Sequence, residues 1–210
     1  MAVTAKEVKE LREATGAGMM DCKKALQECN GDFDKAANWL REKGIASAAK
    51  RQDREAKEGA VASYIHMGGK IGVLVEVNCE TDFVARGAPF QEFCKNVCLQ
   101  ICSSAPRWVR REEALPEEIS AEKAIYEVQA RESGKPENVQ QKIVEGKLNK
   151  WLKENSLLDQ EFVKNPDITI DELMKELSGK VGEKIDIRRF ARFQLGEALD
   201  TNKPVTAGEE

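Results

Sequence analysis

One apolar run, Ile71-Gly72-Val73-Leu74-Val75, limits what this chain can fold into more than any other stretch. It is β-rich and almost continuously apolar, the pattern of a buried strand. A hairpin partner is predicted over Ala60 to His66, turning through Met67-Gly68-Gly69 into a second strand over Lys70 to Asn78. A last strand is predicted over Lys184 to Leu195. There Ile185, Ile187, Phe190 and Phe193 lose a period of two, which a bulge near Arg188-Arg189 explains. Almost everything else carries helical periodicity. The expected class is α+β, a small antiparallel sheet packed with helices.

The apolar run leads into Glu76-Val77-Asn78-Cys79-Glu80-Thr81-Asp82-Phe83-Val84-Ala85-Arg86. The strand should run out near Asn78, and a helical pattern resumes at Phe90. Thr81-Asp82-Phe83-Val84 therefore falls at a strand-to-helix junction, where Thr81 or Asp82 can cap a short helical turn through a side-chain oxygen. Phe83 and Val84 then either fold back onto the core or stand out at the surface.

Residues 4 to 43 read as three short helices. Thr4 and Glu7 make a capping box ahead of apolar Val8 and Leu11. Thr15-Gly16-Ala17-Gly18 breaks the first helix, and Asn30-Gly31-Asp32 breaks the second. Phe33, Ala36, Ala37 and Leu40 then repeat at the spacing of one helix face, with Gly44 as the expected end. A compact domain is thus expected over 1–44. A nearly all-polar linker helix should follow over 45–59, closed by Gly59. The α+β core is expected over 60–196, with its main helix from Ala88 to Ser104 stopped by Pro106. A charged helical hairpin over 116–155, broken at Ser133-Gly134-Lys135-Pro136, should project from that core. Asn165-Pro166-Asp167 reads as a turn, Thr169 as a helix cap, and 197–210 as a flexible polar tail.

At 210 residues the chain can bury one good core plus a small satellite. Its net charge of −4 leaves no basic excess to release counterions, which argues against a nucleic-acid partner. No apolar run approaches the roughly 18 to 20 residues of a membrane span. Met1 to Lys6 runs straight into a helix without a signal-peptide pattern. A cytoplasmic protein is expected, with the stroma of a plastid after processing as the alternative. Among six cysteines, Cys94, Cys98 and Cys102 recur every four residues beside Phe90, Phe93, Val97 and Ile101, as core-filling residues do. Cys22, Cys29 and Cys79 are isolated. With neither a Cys-x-x-Cys pair nor a histidine cluster, these read as reduced structural thiols, and no metal or cofactor is expected.

Candidate chemistry is thin. Thr15-Gly16-Ala17-Gly18 precedes a helix, as a phosphate cradle would, but no strand leads into it and the Gly-Lys-Ser/Thr of a P-loop is missing. A nucleophile–histidine pair would have to use His66, the single histidine, and a hairpin end suits a solvated strand residue better. Trp39, Trp108 and Trp151 read as packing. No catalytic constellation emerges, so the chain is not expected to be an enzyme.

Two resemblances carry the functional reading. Gly18-Met19, Ala25-Leu26, Gly31-Asp32, Ala36 and Trp39-Leu40 resemble the spacing of ubiquitin-associated domains, which are docking modules. More specific are Leu11 to Leu26 and Glu76 to Arg86, which together resemble the two signatures of the elongation factor Ts family; that likeness extends from about Thr4 to Gly196. The family opens with a ubiquitin-associated-like fold, so the first likeness is contained in the second. It implies a guanine nucleotide exchange factor for elongation factor Tu, whose Mg²⁺ and phosphate site is reached by Thr81, Asp82, Phe83 and Val84, the aromatic acting as a wedge. The docking signature carried over is Leu11, Arg12, Thr15, Gly16, Gly18, Met19, Met20, Lys23 and Lys24. The chain has room for one core subdomain where longer members carry two, and short members can compensate by pairing as homodimers. The rival function is a ubiquitin-associated-type adaptor without exchange activity. On the family reading Phe83 should be a ring presented to solvent.

Overall fold

The computed structural model describes residues 3–197. In chain order the elements are α1 (Ala5–Thr15), α2 (Met19–Glu28), α3 (Phe33–Ala49), β1 (Glu58–His66), β2 (Ile71–Cys79), α4 (Asp82–Arg86), α5 (Ala88–Ser104), α6 (Pro116–Glu132), α7 (Glu137–Asn155), β3 (Glu161–Phe162), β4 (Asn165–Thr169), α8 (Ile170–Val181) and β5 (Asp186–Gln194). The architecture is α+β. Residues 198–210, part of the expected tail, lie outside the described residues.

The N-terminal helices close a small core of Val8, Leu11, Cys22, Ala25, Leu26, Ala36 and Leu40. α1 starts with the capping box, the Glu7 carboxylate accepting from the Thr4 N–H at 2.7 Å. Gly44 does not end the third helix. α3 runs through it to Ala49, so there is no separate linker helix over 45–59, and residues 50–57 are turn and irregular chain. Packing is the reason. A Cβ built on Gly179 of α8 would fall 2.7 Å from the Gly44 Cα, so the bare Gly179 lets the α3 and α8 backbones touch. Arg41 of α3 also pairs with Glu176 of α8.

The main sheet has the order β1-β2-β5, antiparallel throughout. Glu76 faces Arg189 and Val77 faces Ile187, which leaves Arg188 as the extra residue of the expected bulge. α5 covers one face, and Phe90, Phe93, Val97 and Ile101 share a core with Val73, Val75 and Val77 of β2 and Met174 and Leu177 of α8. On the other face Val61, Ile65, Leu74 and Phe193 are exposed. Asn165-Pro166-Asp167 is not the turn expected. It belongs to β4, and the reversal falls at Val163-Lys164. Pro166 is tolerated because β4 pairs with β3 alone.

The helices α6 and α7 bury one residue each, Ala130 and Val144. Lys147 Nζ donates to Gln129 Oε1 at 2.5 Å between them. Trp108 and Trp151 meet edge to face at their base, ring centroids 5.3 Å apart. All six cysteines are free. Burial pushes the Cys94 thiol up to about 12 and Cys98 up to about 11, so both stay protonated.

Candidate partner-binding site

β2 gives out at Cys79, and the chain re-forms as the five-residue α4. Thr81 is the cap: extended itself, its hydroxyl accepts the Val84 N–H. Two faces of this single turn then separate. Val84 and Ala85 are buried in the main core, whereas Phe83 is 84% exposed. The question left open by the sequence is therefore answered residue by residue, Phe83 out and Val84 in. Asp82 and Arg86 pair at 2.7 Å beside the ring on the solvent side. Phe83 borders a shallow groove with Gly87, Pro89, Phe90 and Val181.

The turn is held at both ends. On its far side, Gln91 donates to the Ala85 carbonyl at 2.7 Å. On its near side, the Glu183 carboxylate accepts from the Glu80 N–H at 3.1 Å, the Thr81 N–H at 3.0 Å and the Thr81 hydroxyl at 2.6 Å. Glu80 returns the contact by accepting the Lys184 N–H at 2.6 Å. That bond, with Arg54 nearby, outweighs burial and holds the Glu80 carboxyl below the usual carboxylate range. Burial pushes the Cys79 thiol up, and its S–H donates to the Thr81 carbonyl at 3.1 Å.

The N-terminal signature divides in the same way. Leu11 is fully buried. Thr15 shapes the turn, its hydroxyl donating to the Leu11 carbonyl at 2.7 Å and accepting the Ala17 N–H. Gly16 adopts φ 69° and donates its N–H to the Arg12 carbonyl, while the Lys180 stem lies where a side chain would stand. Gly18 is the N-cap of α2. Left accessible are Arg12, Met19, Met20, Lys23 and Lys24, with Met20 73% exposed.

Both signatures meet the end of α8. Lys180 lies in a cleft with Thr15 and Ala17, and its neighbour Val181 lines the groove beside Phe83. His66 is elsewhere, at the hairpin end of β1, where its Nδ1 meets the Tyr64 hydroxyl at 2.8 Å. Sequence reasoning missed Glu183, Gly179 and Lys180. All three act across the fold; Glu183 is 102 residues from Thr81.

A family model described as elongation factor TS matches residues 2–197. The chain belongs to the elongation factor Ts family. It is 54% identical over 209 residues to elongation factor Ts of Geobacter sulfurreducens, covering 100% of this chain and 97% of that one. It is also 54% identical over 207 residues to elongation factor Ts of Carboxydothermus hydrogenoformans, covering 99% and 95%. With that of Heliobacterium modesticaldum it shares 53% over 207 residues, covering 99% and 96%. The match covers the helical start and the α+β core alike, and the adaptor reading is not favoured.

Proposed function

We propose that the turn Thr81–Val84 is the element through which this chain opens the Mg²⁺ and phosphate site of its partner, with Phe83 as the wedge. As a family member the chain is a guanine nucleotide exchange factor: it binds elongation factor Tu carrying GDP and promotes GDP release, so that GTP can bind. One observation carries the site assignment. A large aromatic ring is 84% exposed on a turn whose next residue is 9% exposed and whose backbone is hydrogen-bonded at both ends. A loose loop would not spend a ring this way, since exposure of a large apolar group is useful where a partner buries it.

The work is done by binding, without a catalytic group. Coupling between partner and nucleotide is reciprocal, so whatever factor the chain takes from GDP affinity, GDP takes from the chain's affinity. A thousandfold loosening needs about 4 kcal/mol of coupling. Burying the Phe83 ring contributes about 1.5 to 3 kcal/mol of that, and Asp82, beside the Mg²⁺ site, supplies the electrostatic remainder. Thr81 caps the turn. Val84 serves as the mount, because its side chain is already in the core. Arg12, Met19, Met20, Lys23 and Lys24 form the docking face of the N-terminal bundle on the nucleotide domain, and Leu11, Thr15, Gly16 and Gly18 give that face its shape.

The α+β core contacts another domain of the partner. The α6–α7 hairpin is rooted on that core at its base, where Trp151 meets Trp108. For a homodimer, the apolar outer face of the sheet around Ile65 and Phe193 is the available surface, and sedimentation against concentration tests it. No helix among the described residues is long and apolar enough to cross a membrane. The bacterial sources of the relatives favour the cytoplasm over a plastid stroma.

The test is direct. Added to elongation factor Tu holding a fluorescent GDP analogue, the chain should accelerate release in a saturable manner. Unchanged release, with ubiquitin retained in a pull-down instead, would restore the adaptor.

A further inference from the structure

We propose that Glu183 is the positioning residue of the exchange reaction, a clasp that sets the direction in which Phe83 is presented. The proposal rests on the wedge reading above and adds to it a residue that neither signature contains.

A short helix of five residues has little stability of its own, because nucleating a turn is unfavourable. Burial of Val84 and Ala85 fixes which side of α4 faces inward, but not the tilt of the turn about that contact. Gln91 holds the far end through the Ala85 carbonyl, and the tilt is set by the backbone entering the turn. There a single carboxylate takes three donors from two successive residues, the Glu80 and Thr81 N–H groups on one oxygen and the Thr81 hydroxyl on the other. An ionised acceptor makes each of these bonds stronger than its neutral counterpart. Because the same Thr81 hydroxyl oxygen caps α4 at Val84, the carboxylate orients the cap itself.

Glu183 is held in its turn. It follows Gly182, the left-handed C-cap of α8 at φ 78°. The buried Ser178 side chain donates its hydroxyl to the Glu183 carbonyl at 2.6 Å. Arg51, just past α3, donates to the Ser178 carbonyl. The path from the N-terminal bundle to the wedge thus runs through α8, Ser178, Glu183 and Thr81, with the Glu80–Lys184 bond closing the clasp from the other side. A partner gripping the bundle would meet Phe83 at a fixed angle.

The experiment measures GDP release from elongation factor Tu across a range of concentrations of the chain. Glu183→Ala should lower the maximal rate about tenfold, equivalent to about 1.4 kcal/mol, since small misplacement of a positioned group is expensive. The half-saturating concentration should stay within about twofold, because the docking face is untouched. Glu183→Gln keeps an oxygen for the two amides and should restore the rate to within about threefold. If Glu183→Ala fails to fold, Glu183→Asp, one methylene short, should show the same loss of maximal rate to a smaller degree. In a Phe83→Ala background Glu183→Ala should add nothing, as expected of residues acting as one unit. An unchanged maximal rate, or an equal loss with and without Phe83, would overturn the proposal. If Phe83→Ala alone changes nothing, the wedge reading itself fails, and the two failures are separable.

Discussion

Adding one methyl group at Gly179 should do more harm than adding it at Gly44, although the two residues touch each other. A Cβ on Gly179 would sit 2.7 Å from the Gly44 Cα, 3.1 Å from its carbonyl carbon and 3.2 Å from its oxygen. These are backbone atoms and cannot rotate away, so α3 and α8 must separate. A Cβ on Gly44 would stand 3.7 Å from the Gly179 Cα, an ordinary van der Waals contact. Both positions lie inside helices, so each substitution gains up to about 1 kcal/mol of helix propensity. At Gly44 that gain stands almost alone, and Gly44→Ala should be neutral or stabilising by about 0.5 to 1 kcal/mol. At Gly179 overpacking costs about 1 to 3 kcal/mol, and the forced separation also stretches the Arg41–Glu176 pair. Gly179→Ala should therefore be destabilising by about 1 to 2 kcal/mol, or roughly 2 to 8 °C in Tm. Urea and thermal unfolding followed by circular dichroism measure both. Equal effects at the two positions, or a Gly179→Ala protein as stable as the parent, would refute the account of the helix crossing.

Two further outcomes follow from the electrostatics. Cys94 and Cys98 are buried and raised to about 12 and about 11, so at pH 8 a thiol reagent should label the partly exposed Cys29 first and reach these two after denaturation; fast labelling of the native Cys94 would contradict the core packing. The Glu80 carboxyl is held below its ordinary range in the folded state by the Lys184 N–H and Arg54. The stability it contributes is therefore present above the unfolded carboxylate pKa of about 4.3 and lost as pH falls through the lower folded value. Glu80→Gln should flatten that acid limb in unfolding measured from pH 7 to pH 3, and an unchanged limb would remove Glu80 from the clasp.

What could be read from the sequence was mostly local. The Thr4–Glu7 capping box, the Ala88–Ser104 helix and the bulge at Arg188 all follow from neighbours in the chain, and each stands where expected. A glycine late in a helix usually reads as a stop, but α3 continues through Gly44 onto the bare backbone of Gly179, 135 positions away (179 − 44), a contact that no local pattern signals. Asn165-Pro166-Asp167 has turn composition but lies on an edge strand, where proline does no damage. At the candidate site, the exposure of Phe83 followed from the family likeness and not from hydrophobicity, which would have buried it. Val84 and Leu11 fall within the signatures that supply the contact residues, yet both are core. Glu183 had no signal at all, since one glutamate after a helix-ending glycine looks like many others.

The claim on which the rest depends is that the exposed Phe83 ring drives nucleotide release. Phe83→Ala removes a side chain that is 84% exposed, so the unfolding free energy should stay within about 0.5 kcal/mol of the parent. Its burial in the complex is worth about 1.5 to 3 kcal/mol, so the maximal rate of GDP release should fall about ten- to a hundredfold. A folded Phe83→Ala protein that releases GDP at the parent rate would contradict the account.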